Sequence, residues 1–190
     1  MPNYYEFKLP AKILSGDGAL EHIPHELEAL GSTRPLLLSD EGLVKAGAVA
    51  TVEGAMAQGG GAFAAQFCRI PPDSSIQTVN EIAAFFREKN CDGLVAVGGG
   101  SVIDTAKGVG MVLAQGSGDL LQNTGCEVLG RGAHVPFIAV PTTSGTGSEV
   151  SPTSVLTVDG VKKSVSGPEL YASLAIANPA YTGTMSYNTT

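Results

Sequence analysis

Tryptophan is absent from this sequence, charged residues make up only 15% of it, and its three cysteines, Cys68, Cys91 and Cys126, form no CxxC pair. Odd in number and far apart, these cysteines offer neither a disulfide framework nor a zinc site, and they read as reduced packing residues. Histidine is equally scarce. His22 and His25 are three apart and could share a helical face, but Pro24 separates them and no third ligand lies near, so both read as surface residues. His134 has no acidic neighbour and reads as structural. Positive charge is also short: with a net charge of -7 there is no basic stripe for nucleic acid or an acidic membrane. No apolar run is long enough to cross a bilayer, and the opening MPNYYEFKLP lacks the basic and apolar segments of a signal peptide. These absences lead us to expect a soluble cytoplasmic protein with no membrane or nucleic-acid partner.

Apolar residues and glycine are what the chain has in quantity, at 43% and 25 of 190 residues. The length predicts one domain over residues 1–190, and the sparse charge leaves room for a large interface.

The most informative stretch is GLVAVGGGSVIDTAKGVGMVL at residues 93–113, where the apolar period changes. Residues 94–97 form a continuous apolar run that reads as a buried strand, and from Ser101 onward Ile103, Ala106, Gly110 and Leu113 recur at helical spacing. Gly98, Gly99 and Gly100 therefore join a strand to a helix. Without a Cβ they are free to adopt positive φ and to let an anion, most often phosphate, approach the backbone at the helix's positive end. A tight glycine connection is the plain alternative. The usual dinucleotide fingerprint does not fit, because Ile103 stands where its third glycine belongs; GxGxxA at Gly59, Gly61 and Ala64 follows a helical pattern instead of a strand.

Around this stretch the spacing predicts short strands at 4–9 and 12–15, a helical stretch at 18–30, and a buried strand at 35–39 that ends in Asp40. A carboxylate there suits an adenosine ribose and repels a 2'-phosphate; it also suits the N-cap of a helix beginning near Glu41, and both roles stay open. One or two helices over 41–58 precede a strand at 62–68. Ser74 with Gln77 has capping-box spacing ahead of a helix whose buried stripe is Ile76, Val79, Ile82, Ala83 and Phe86. Residues 114–134 show no period, and a strand follows at 135–140. The loop PTTSGTGSEVSP at 141–152 can wrap a polar ligand with hydroxyls and glycines, or be a simple turn. Asp159-Gly160 predicts a hairpin between 155–158 and 163–166, and 174–177 reads as one more strand. Alternating strands and helices predict an α/β fold: a Rossmann-like parallel sheet with helices on both faces, plus short antiparallel hairpins.

GGGSVIDTAK at 98–107, VPTTSGTGSE at 140–149, VKK at 161–163 and NP at 178–179 together resemble the iron-containing (group III) alcohol dehydrogenase family, over essentially the whole chain. The resemblance implies an NAD(P)-dependent oxidoreductase interconverting a small alcohol and its aldehyde, commonly as a homo-oligomer. It implies that Gly99, Gly100 and Ser101, with Gly98 beside them, hold the pyrophosphate; that Thr142, Thr143 and Thr146 line the cofactor groove; and that Lys162 reaches the ribose and phosphate region. Asp40 matches the position associated with NAD over NADP. Where the family often has Asn-Pro this chain has Pro71-Pro72-Asp73, and where it usually has Asp-Pro this chain has Asn178-Pro179. Asp104, three residues after Ser101, would be repelled by a pyrophosphate, so it is assigned first to the helix end by capping-box spacing and second to the cofactor. Lys107 lies too far along the helix to meet phosphate and reads as surface charge.

The family's divalent metal, iron or zinc, is held by an Asp and histidines of a helical carboxyl-terminal domain, whose first ligands come shortly after the region matching 181–190. The resemblance thus implies the cofactor half without its metal half, and a chain inactive alone. A non-catalytic dinucleotide-binding module working through a partner is the second reading. A relative of glycerol dehydrogenase or dehydroquinate synthase is the third, which the SGTGSE run disfavours.

Overall fold

The computed structural model describes residues 9–115 and 135–182. Their strands are β1 (Lys12–Ser15), β2 (Pro35–Leu38), β3 (Ala65–Phe67), β4 (Gly93–Gly98), β5 (Phe137–Pro141), β6 (Thr153–Val158), β7 (Val161–Ser166) and β8 (Leu174–Ala177), and their α-helices are α1 (Ile23–Ala29), α2 (Glu41–Lys45), α3 (Ala48–Gln58), α4 (Ile76–Glu88) and α5 (Gly100–Gln115). Six strands form one parallel sheet in the order β1-β8-β5-β4-β2-β3, and β6 and β7 form a separate antiparallel hairpin. This is the expected Rossmann-like α/β architecture.

Period two along the buried strands divides the interior between the two faces of the sheet. Leu36, Leu38, Leu94, Ala96, Phe137 and Ala139 meet α4, α5 and the hairpin on one side. Leu37, Val95, Val97, Ile138 and Val140 meet α1 and α3 on the other. Strands buried on both faces must be apolar throughout, which is why β2, β4 and β5 read as unbroken runs. The stripe of α4 is buried as its spacing predicts, at Ile76, Val79, Ile82, Ala83 and Phe86.

Several expected boundaries shift for physical reasons. The strand expected at 62–68 is confined to Ala65–Phe67, because this edge strand pairs with only Leu36, Leu37 and Leu38 of β2. The stretch at 18–30 opens as a 3-10 turn, Ala19–His22, and becomes α-helical where Pro24 fits the first turn and its missing N–H costs nothing. Helix α4 is capped by Ser75, whose Oγ accepts the Thr78 N–H at 3.2 Å, and not by Ser74. Ser74 instead donates to the Ser101 carbonyl at 2.5 Å. Residues 4–8 of the first expected strand, His134 and Cys126 lie outside the described residues, and Leu9 is not in a strand.

The hairpin is as expected, with Asp159 and Gly160 at φ 51° and 75° across its turn, the left-handed pair that matches strand twist. Its buried side chains, Leu156, Val158 and Val165, join the core around α5. Helix α5 therefore carries buried residues on nearly every side between Val102 and Val112, more than the single stripe that its apolar spacing suggests.

Candidate functional site

The strand order creates a site before any side chain is considered. From β2 the chain passes by way of α2 and α3 to β3 on one side, then returns over β2 to β4 on the other side. Loops leaving the carboxyl ends of β2 and β4 therefore part in opposite directions, and a crevice opens between them; ligands of open α/β sheets sit at such switch points. Across that crevice, in the order of the strands, stand Asp40 after β2, the glycine run after β4, and Thr142 and Thr143 after β5. They line a cleft of about 820 Å³ together with Pro71, Pro72 and Val102.

At its centre is the amino end of α5. The first helical bond runs from the Ile103 N–H to the Gly99 carbonyl at 3.1 Å, so the helix provides no acceptor for the N–H groups of Gly100, Ser101 and Val102, all on the cleft wall. None of Gly98, Gly99 or Gly100 has positive φ, contrary to the freedom expected of them. Glycine is needed here for close approach. A Cβ on Gly98 would lie 2.5 Å from the Val102 Cβ, and one on Gly99 would lie 2.9 Å from the Thr143 Oγ1. Ser101 donates its hydroxyl to the Pro72 carbonyl, and with the Ser74 bond this fastens the Pro71–Pro72 turn to the first turn of α5.

Asp40 takes the N-cap role and stands on the cleft wall as well. One oxygen, Oδ1, accepts the Leu43 N–H at 2.9 Å as N-cap of α2, and the residue also lines the cleft. A smaller cavity of about 180 Å³ adjoins the large one through Gly100 and Ser101, and it is lined by Asp73, Asp104, Thr157 and Lys162 among others. Lys162 is exposed on β7, 3.1 Å from the Asp73 carboxylate. Gly98 and Thr146 line neither cavity: Gly98 ends β4 beneath the glycine turn, and Thr146 lies beside Gly100, its Cγ2 in van der Waals range of an added Cβ.

Two expectations need correcting. Asp104 does not form a capping box with Ser101, because α5 already begins at Gly100; its Oδ2 accepts the Val155 N–H of β6 at 3.0 Å. Burial pushes the Asp104 carboxyl up, opposed by the Val155 N–H, the Lys107 charge and the Ser148 hydroxyl. Lys107 is not surface charge. It is 2% exposed, and its ammonium donates to the Thr153 carbonyl at 2.6 Å, the Ser151 carbonyl at 2.9 Å and the Ser151 Oγ at 3.2 Å. Burial pushes its pKa down to about 8, opposed by the carboxylates of Asp104 and Glu149. The hairpin covers a helix face that local spacing assigns to solvent. One signal was available: Asp104 and Lys107 are the only charged residues of α5, three apart, whereas a solvated face would carry more.

His22 and His25 are exposed as expected. Among the described residues no three His, Cys, Asp or Glu side chains converge on a metal position.

The model of a family described as iron-containing alcohol dehydrogenase matches residues 10–179. The chain belongs to the iron-containing alcohol dehydrogenase family. Choline dehydrogenase of Bacillus subtilis is 36% identical over 185 residues, covering 94% of this chain and 45% of that protein. The 4-hydroxybutyrate dehydrogenase of Cupriavidus necator is 42% identical over 151 residues, covering 77% and 38%. Among solved structures, sulfoacetaldehyde reductase of Bifidobacterium kashiwanohense in complex with NAD+ superposes with a TM-score of 0.86 at 28% identity, over 97% of this chain and 48% of that one. The chain thus spans less than half the length of these members of the iron-containing alcohol dehydrogenase family. Among the described residues no group of side chains assembles a site for the metal that gives the family its name.

Proposed function

We propose that this chain is the cofactor-binding domain of an NAD-dependent alcohol dehydrogenase. The observation that carries the reading is the cleft at the switch point, where a carboxylate, free helix N–H groups and two threonines follow one another in strand order. A dinucleotide laid along that order puts its adenosine ribose on Asp40, its pyrophosphate on the N–H groups of Gly100, Ser101 and Val102, and its second half along Thr142 and Thr143 toward Lys162. Helix termini favour phosphate by partial charge and by hydrogen bonding. Gly98 keeps the turn tight, and Thr146 supports the wall beside Gly100. Asp104, a buried carboxylate, contributes to the smaller cavity next to Lys162.

Bound there, NAD would supply hydride-acceptor chemistry for the oxidation of an alcohol to its aldehyde. These residues hold and orient the cofactor; the negative Asp40 favours NAD over NADP, since two like charges at about 4 Å oppose each other by roughly 1 to 4 kcal/mol. A divalent metal, iron or zinc, belongs to the complete enzyme in this reading. The substrate class is a small primary alcohol, the reduced-thiol reading of the cysteines supports a cytoplasmic setting, and the small share of charged residues in the sequence supports a homo-oligomer.

The test is calorimetric titration of the purified chain with NADH and NADPH, beside an activity assay with ethanol or propane-1,3-diol and added ferrous or zinc ion. Binding of NADH at least about tenfold tighter than NADPH is expected, without turnover. A folded sample that binds neither nucleotide overturns the proposal.

A further inference from the structure

The buried cation of α5 reaches away from the cleft. Lys107 Nζ joins α5 to the far end of the 141–152 loop, through Ser151, and to the first residue of β6, through Thr153. Those two attachments lie on the segment that leads from Thr142 to Lys162. Asp104 repeats the link one turn earlier, where its Oδ2 holds the Val155 N–H and its main-chain carbonyl accepts the Ser154 hydroxyl at 2.8 Å. The charged groups acting on Lys107 are Asp104 of its own helix, with Oδ1 at 3.9 Å, and Glu149 of the loop. Asp104 Oδ1 and Glu149 Oε2 are both buried without a hydrogen-bond partner, and the ammonium lies 3.9 Å from the first of them. No comparable link joins Lys107 to Asp40 or α2, which stand on the other side of β4.

We propose that Lys107 is a positioning residue for the second half of the dinucleotide: by holding residues 151–153 on α5 it fixes the Thr142–Thr143 wall and the Lys162 strand, without touching the cofactor. The inference rests on the NAD reading above, and it separates the two halves of the ligand. AMP needs only the Asp40 wall and the helix end, whereas NADH needs the far wall as well.

The experiment is calorimetric titration of the wild-type chain and Lys107→Met with NADH and with AMP, with circular dichroism to establish folding. Loss of a buried charged hydrogen-bond donor predicts NADH binding weakened about tenfold, with AMP changed less than about threefold. Equal losses for the two ligands, or no loss for either, would overturn the proposal, because a merely structural lysine affects both alike. Should the variant not fold, a wild-type pH series replaces it. Raising pH through about 8 takes the proton from Lys107 and weakens its hold on the Ser151 and Thr153 carbonyls, so NADH affinity should fall more steeply than AMP affinity. From about pH 7.5 upward the AMP monophosphate has passed its second ionisation at about 6 and the NADH pyrophosphate has none to pass, so neither ligand changes charge across the series; parallel curves overturn the proposal. A wild-type chain that binds AMP and NADH with the same affinity at pH 7 also overturns it, whereas one that binds neither removes the NAD reading itself.

Discussion

The carboxylate of Asp104 accepts the backbone N–H of Val155 at 3.0 Å, joining α5 to a hairpin about fifty residues further along the chain. An acid read from spacing as a helix cap is therefore a clamp between two layers. Because burial raises its pKa, the charge itself is a cost and the hydrogen bond is the gain. Asp104→Asn keeps an acceptor and should change stability by less than about 1 kcal/mol, whereas Asp104→Ala, which strands the Val155 N–H, should cost about 1 to 3 kcal/mol. Urea unfolding of the two variants checks this; equal losses would count against the clamp.

Asp40 combines a cap with a charge on the cleft wall, and substitution separates them. Asp40→Ser retains a capping oxygen for Leu43 while removing the charge, and should shift preference toward NADPH by about tenfold at nearly unchanged stability. Asp40→Ala should shift preference equally and lose about 1 kcal/mol of stability with the cap. Parallel nucleotide titrations and melting curves measure both quantities.

Gly99 is predicted to be the least replaceable glycine for binding. Its added Cβ would stand 2.9 Å from Thr143 Oγ1, at the lip of the proposed phosphate cradle. Gly99→Val should weaken NADH binding by more than about tenfold, since further methyl groups occupy the anion's place, at a stability cost of about 1 to 3 kcal/mol for overpacking. A variant that binds NADH normally would move the pyrophosphate elsewhere.

Stability against acid is expected to come partly from the opposite end of the sheet. Asp92, just before β4, accepts the Ser32 hydroxyl at 2.7 Å and the N–H groups of Thr33 and Arg34 at 2.9 and 2.8 Å, just before β2. Burial works to raise its pKa, but the hydrogen bonds outweigh it and hold the carboxyl below the usual range. A depressed folded pKa adds stability above the unfolded value of about 3.9, lost as pH falls through the folded value. Asp92→Asn should therefore lower stability at pH 7 by about 1 to 3 kcal/mol and flatten its loss between pH 5 and 2, measured by urea unfolding across that range.

Much of the fold was legible in the chain. Strands buried on both faces leave unbroken apolar runs at Pro35–Leu38, Gly93–Gly98 and Leu174–Ala177, and a left-handed turn leaves Asp159-Gly160. Asp40, the glycine run and Thr142–Thr143 were legible as well, because loops at strand ends keep their chemistry in short contiguous motifs. Ser75 was missed by one residue, since adjacent serines offer the same cap and only the backbone direction chooses between them. Lys107 and Asp104 were misread because local spacing describes a helix against one partner surface, and α5 has several.

Periodicity and motif chemistry settle what depends on neighbours a few residues away: where the central strands and the main helices lie, and which loops offer N–H groups and hydroxyls. The burial of a lysine among main-chain carbonyls, and the meeting of three loops from β2, β4 and β5 in one crevice, depend on contacts between residues about forty or more positions apart. Such contacts form only when the strand order and the hairpin's docking bring distant segments together, so they leave no periodic trace in the chain.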